Sequence, residues 1–263
     1  MGVIIFVIAL GALFILSIVS TFFKMGMLGT VLTELGLLAV AVVFCLITKT
    51  KIKEMFPVQK VTAADVFGCI FLTIGAFFSA LILIGITSIF DPIASEEVES
   101  LYEGIYGNNL NYFGLFICVA VIPAICEESL MRGAVLSCFR GLKKDWLICL
   151  IVGVMFGILH MDPLRIPNTA FFGAILAFVM VKKNNIILPM AMHLTNNAVA
   201  SFAGFIATKA SSDGSAVVQA AADSIGSVSG VTMLGSYLLT GFAAPIFLVL
   251  GAMLLDRKNV SAK

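Results

Sequence analysis

The residues of this chain best suited to chemistry gather in Ile122-Pro-Ala-Ile-Cys-Glu-Glu-Ser-Leu-Met-Arg-Gly133, where Glu127, Glu128 and Arg132 interrupt a run of lipid-soluble side chains. Ionisable groups in such a run are costly to bury and mark a pathway or a reaction centre. Helical residues four apart share a face, whereas neighbours diverge by about 100°. Glu128 and Arg132 can therefore pair within one helix, the least costly way to hold both charges in a low dielectric. Glu127 points away from that pair and needs another partner, a proton, or water. Pro123 removes an amide donor, which frees a backbone carbonyl in the preceding turn and allows a bend there.

The chain's two histidines fall in further apolar segments. His160 follows Phe156 by one helical turn, and His193 precedes Asn197 by one turn, so each pair shares a face. Asn196 lies on another face. A buried imidazole in a span needs hydrogen-bond partners that lipid cannot supply. Taken singly, each feature has a plainer reading: a satisfied core histidine, or helix-to-helix hydrogen bonding worth about 1 kcal/mol in membranes. Taken together they concentrate a lone carboxylate, two imidazoles, a carboxamide and an internal ion pair in the third quarter of a chain poor in such groups. That concentration points to one buried reaction centre.

The elements that must position these groups are membrane helices. Of 263 residues, 60% are hydrophobic and 12% charged, and the mean hydropathy is +1.11. A soluble domain carries roughly 25% charged residues, so the fold expected is an all-α polytopic bundle in a lipid bilayer. The net charge of +1 comes with no basic segment, which excludes nucleic acid as a partner. Apolar runs at 3–23, 30–48, 65–90, 113–131, 147–161, 168–181, 186–208 and 231–255 predict eight spans in a single membrane domain. Residues 1–90 read as scaffold, 112–206 as the core carrying the polar groups, 209–230 as a flexible outer loop with a short helix at 217–225, and 231–255 as the last span.

Charge placement orients the bundle. The segment 48–60, Arg140 to Lys144, Lys182–Lys183 and the C-terminal lysines are basic and should be cytoplasmic, with both termini. Residues 91–111 carry Glu96, Glu97, Glu99 and Glu103 without a cation and should face outward. Gly153 with Gly157, and Gly173 with Ala177, form small-xxx-small faces for close helix approach. The six cysteines lack zinc or disulfide spacing and read as small packing residues. The N-terminus reads as an uncleaved first span. At 1.5 Å per residue, Glu127 and His193 lie about 10 Å from the inner face and His160 about 20 Å. That mismatch predicts a late start of the His160 helix, or a tilt or break near Gly153–Gly157, with a cavity open to the cytoplasm reconciling the depths.

Glu127-Glu128-x-x-x-Arg132, Phe156-x-x-x-His160 and His193-x-x-x-Asn197, in that order, resemble the three motifs of the CAAX protease and bacteriocin-processing family. These are intramembrane endopeptidases that include the type II CAAX prenyl proteases. The resemblance implies a peptide hydrolase without a covalent intermediate. Glu127 would be the general base and His160 would hold the attacking water. His193 and Asn197 would donate to the oxyanion, and Glu128 with Arg132 would orient the helix, with a direct part for Glu128 left open. The implied substrate is a membrane-associated peptide or lipidated protein: a prenylated C-terminus, or a bacteriocin- or pheromone-like peptide. No cofactor is expected. A zinc-dependent version would use Glu127, His160 and His193, an acceptable ligand set, although H-E-x-x-H and its inverse are absent. The reading from a different class is a non-catalytic bacteriocin self-immunity or binding protein, with the same residues packing helices. A transporter would call for internal repeats, which the sequence lacks. Small loops and no organelle signal point to a prokaryotic cytoplasmic membrane.

Overall fold

The computed structural model describes residues 1–90, 111–163, 165–212, 235, 238 and 241–256. Among them the long helices are α1 (Gly2–Phe22), α2 (Met27–Thr48), α3 (Ala63–Phe90), α4 (Tyr112–Val135), α5 (Asp145–Leu159), α6 (Ile166–Lys183), α7 (Ile187–Ser212) and α8 (Ala244–Leu255), with no strand. Local chemistry explains several ends. Thr62 and Asp65 cap α3 reciprocally, Thr62 N donating to Asp65 Oδ2 at 2.9 Å and Asp65 N to Thr62 Oγ1 at 3.3 Å. Asn111 caps α4 by accepting from Gly114 N, and Asn184 stops α6 in the left-handed region.

Among the described residues, helices meet all the predicted segments, in whole or in part. Five are long and apolar enough to cross a bilayer: α1, α2, residues 63–83 of α3, α4 and α6. These five are counted by length and composition among the described residues, and part of the eighth predicted span, 231–255, lies outside them. α5, predicted as a span at 147–161, has 15 residues, about 22 Å of helix against a hydrocarbon core of about 30 Å. It forms a hairpin with α6 and exposes the stripe Trp146, Leu150, Val154 and Ile158 on its other face. α8 is likewise short at 12 residues. The acidic segment 91–110, the short helix expected at 217–225 and most of 231–243 lie outside the described residues.

The polar ends of the bundle segregate. Gly2 packs on Phe139 and Cys138. Ser137, Cys138 and Asn184 line one cavity of about 570 Å³ together with Lys53, Gln59 and Arg140. Lys182 pairs with Asp256 at 3.1 Å and Lys183 with Asp65 at 2.7 Å. Met1 and Asp256 thus sit at the same end, the one that carries most of the cations. The connection between α2 and α3 folds into this end. Met55 and Pro57 are buried, Pro57 O accepts from Ile186 N at 2.9 Å and Gln59 O from Asn185 Nδ2 at 2.8 Å.

α5 and α6 touch through the predicted small-residue face. A Cβ on Gly153 would stand 2.7 Å from Ala170 O and 2.8 Å from Ala174 Cβ, and one on Gly157 would meet Ala170 Cβ at 2.8 Å. Backbone occupies that space, so Gly153→Leu should separate the hairpin and cost about 1–3 kcal/mol. Thermal unfolding in detergent should show a clearly lower midpoint. Gly141→Leu, where nothing lies within 4 Å of the added carbon, should leave it unchanged.

Candidate active site

α4 carries the acidic motif in an irregular helix. Ile117–Val121 and Ser129–Val135 are wound as π-helix, on either side of the α-helical Ile122–Glu128. Such wider turns cluster at functional sites and re-aim side chains. Pro123 has no amide hydrogen to give to Val119 O, four residues upstream. Asn197 of α7 supplies one instead, Nδ2 donating to that carbonyl at 3.3 Å. The carbonyl freed by proline becomes the bond that ties α7 to α4.

The predicted intrahelical pair is present. Arg132 donates from one terminal nitrogen to Glu128 Oε1 at 2.8 Å, with both side chains fully buried. Its other terminal nitrogen donates to Gly173 O of α6 at 2.8 Å. Its guanidinium lies over the Phe156 ring of α5, 4.7 Å from the centroid. One arginine thus joins three helices. Glu128 goes further than orienting its own helix: its Oε1 also lies 2.9 Å from His193 Nδ1 on α7. A carboxylate at Nδ1 fixes the ring and leaves Nε2 for other work.

The two histidines meet at Phe156. Its ring is edge-on to His160 with centroids 4.9 Å apart and to His193 at 5.6 Å. Neither a late start nor a break accounts for the depth mismatch, since α5 runs unbroken from Asp145 and its start precedes the predicted one. His160 caps the helix and turns back along it, Nδ1 lying 2.9 Å from Phe156 O. Nor do the two cavities described serve the site. They lie at the cation-rich end and neither is lined by Glu127, His160 or His193.

Glu127 faces away from the ion pair, as the spacing requires. Its Oε2 is buried without a hydrogen-bond partner, and Glu128, Arg132 and His193 all bear on it electrostatically. The group closest in kind is one that sequence reasoning passes over: Glu34 of α2, with its Oε2 buried, bears on Glu127 electrostatically. The signal for it was available, since Glu34 is the one charged residue in α2. Asn196 donates to Asn197 Oδ1 at 3.2 Å, within its own helix and not to a neighbour. All six residues singled out from the sequence therefore fall in one cluster, Asn197 at its edge on Val119.

Among the described residues no three or more His, Cys, Asp or Glu side chains converge so as to hold a metal ion. His160 and His193 each engage Nδ1 within the protein, which leaves both Nε2 atoms available. The donor set Glu127, His160 and His193 does not form a ligand cluster in this arrangement, and no step below is routed through zinc.

Residues 109–199 match the family described as type II CAAX prenyl endopeptidase Rce1-like. The match agrees with the resemblance carried by the three motifs. The Rce1-like stretch takes in α4, α5, α6 and the part of α7 that holds His193 and Asn197, and leaves out α1, α2, α3 and α8. It implies a peptide hydrolase, and with five helices able to cross a bilayer it makes the chain a multi-pass membrane protein. No curated protein and no solved structure matches the chain.

Proposed function

We propose that this protein is an intramembrane endopeptidase that cleaves a membrane-associated peptide, with a prenylated C-terminus as the preferred substrate class. The observation that carries the reading is Glu127: among the described residues its Oε2 is buried without a hydrogen-bond partner, within electrostatic range of His193 and next to the Glu128–Arg132 pair. Water held between Glu127 and His160 gives a proton to Glu127 and attacks the peptide carbonyl carbon. The oxyanion accepts from His193 Nε2 and from the Asn197 amide hydrogen not spent on Val119. With Nδ1–H given to Glu128, Nε2 can offer a hydrogen only as the imidazolium, and Glu128 is the carboxylate that balances it. The tetrahedral intermediate collapses as Glu127 passes its proton to the departing amine. The cation-rich end faces the cytoplasm, in keeping with the positive-inside bias.

A farnesylated peptide incubated with the purified protein in detergent should be cut, and prior dialysis against a strong chelator should leave the rate unchanged. Loss of the rate on chelation, restored by zinc, would replace the water step with the metal-dependent version. Membranes from cells carrying Glu127→Ala should accumulate an uncleaved peptide that wild-type membranes lack. If neither assay detects cleavage, the hydrolase reading fails, and the polar cluster is left with a packing or binding role.

A further inference from the structure

Where α2, α4 and α6 end, the chain leaves a hollow that the chemistry above does not use. Its volume of about 570 Å³ falls within the usual range of small-molecule sites, about 300–1,000 Å³. Segments far apart in sequence build it. The end of α2 and the connection to α3 bring Phe44, Thr50 and Lys53, the turn after α4 brings Ser137 and Arg140, and the end of α6 brings Asn184. Several cations at this end of the bundle are matched: Lys51 by Glu54 at 3.6 Å, Lys182 by Asp256 and Lys183 by Asp65. Lys53 and Arg140 are not. Among the described residues neither pairs with a carboxylate, and Glu54, the one acid on the wall, is the one that Lys51 holds. Two like charges brought to one hollow repel each other, and an anion between them reverses the sign of that interaction. A neighbouring hollow of about 200 Å³ shares Gln59 with the first and adds Lys60, also without an ion-pair partner among the described residues.

Depth selects the kind of anion. Phe44 lies one turn inside the end of α2 at Thr48, and Leu46 and Ile47 in that last turn are exposed. The hollow thus sits where the lipid-facing surface of α2 gives way to charged connections, at the level of phospholipid headgroups. Basic pockets between membrane helices on the cytoplasmic side hold such headgroups. We propose that this hollow binds the phosphate of an anionic phospholipid headgroup, with Lys53 and Arg140 as its two cationic contacts. The site is separate from the hydrolase reading, since none of the residues given a chemical role lines it.

The test uses the full-length protein in a neutral detergent and follows its thermal midpoint as lipid is added. Phosphatidylglycerol should raise the midpoint by several degrees and saturate, as a ligand of the folded state does. Phosphatidylcholine, with the same phosphate but a cancelling ammonium, should shift it far less. Glycerol 3-phosphate, which offers phosphate without acyl chains, should leave it unchanged at millimolar concentration. Lys53→Gln and Arg140→Gln should each raise the half-saturating amount of phosphatidylglycerol about fivefold, and the double variant about twenty- to thirtyfold. Both side chains are exposed, so the lipid-free midpoint should not change. Lys49→Gln/Lys143→Gln removes the same charge from the same end but outside the hollow, and should keep the wild-type response. Equal losses in the two double variants would mean diffuse attraction to a charged surface and overturn the proposal. So would a response to phosphatidylcholine as large as that to phosphatidylglycerol, or no response to either. A shift with glycerol 3-phosphate equal to that with lipid would make this a site for a soluble phosphate ester and not for a headgroup.

Discussion

Glu127→Gln should lower peptide-bond cleavage by about 10²–10⁴-fold, the usual contribution of a positioned proton acceptor, while leaving the protein folded. The amide matches the carboxyl in size and cannot take a proton from water. The cost to the fold should be small, because Glu127 has no ion-pair partner of its own and its Oε2 already lacks a hydrogen bond. Substrate binding involves other groups, so the loss should appear in kcat with KM little changed. A matched wild-type preparation, compared by initial rate and by thermal midpoint, checks both halves. Retained cleavage would remove Glu127 from the chemistry. A collapsed midpoint would recast it as structural.

The parts of the site legible in the sequence are those fixed by a single helix. Spacing by four placed Glu128 on Arg132, Phe156 on His160 and His193 beside Asn197, because helical geometry alone decides these. Membership of one cluster was legible from the cost of burying such groups among lipid-soluble neighbours. Contacts between helices were not. Nothing local announces that Glu128 reaches His193, that Arg132 finds Gly173 O, or that Asn197 takes up the carbonyl left open by Pro123. Glu34 differs, since the cost rule that exposed Glu127 applies equally to the one acid of α2. Apolar composition marks a helix that avoids water but does not set its length, which is why α5 and α8 are shorter than a bilayer while just as apolar. Of the alternatives for the His160 depth, the late start and the break near Gly153–Gly157 are absent, since α5 runs unbroken from Asp145.

Arg132 should prove the residue whose loss the fold tolerates least. Its guanidinium holds Glu128, Gly173 O and the Phe156 face at once, and it is fully buried. Arg132→Ala would take from Glu128 its one permanently charged partner, leaving only the His193 ring, and would empty the space between α4, α5 and α6. Breaking one partner of a buried pair costs about 3–5 kcal/mol, and the cavity adds to that. The variant should therefore accumulate poorly in membranes and unfold well below wild type in detergent. Arg132→Lys should rescue little, because an ammonium cannot make the two divergent bonds and the ring contact together. Glu128→Ala should cost less than Arg132→Ala, since Arg132 would keep Gly173 O and Phe156, yet it should also free the His193 ring and depress cleavage. The double variant Glu128→Met/Arg132→Met should be more stable than Arg132→Ala, because it leaves no charge stranded, and should still be inactive. Stability and activity separating in that way would assign the pair two duties, holding the helices and holding His193. An Arg132→Ala protein as stable as wild type would show that neither the ion pair nor the carbonyl bond bears on the fold.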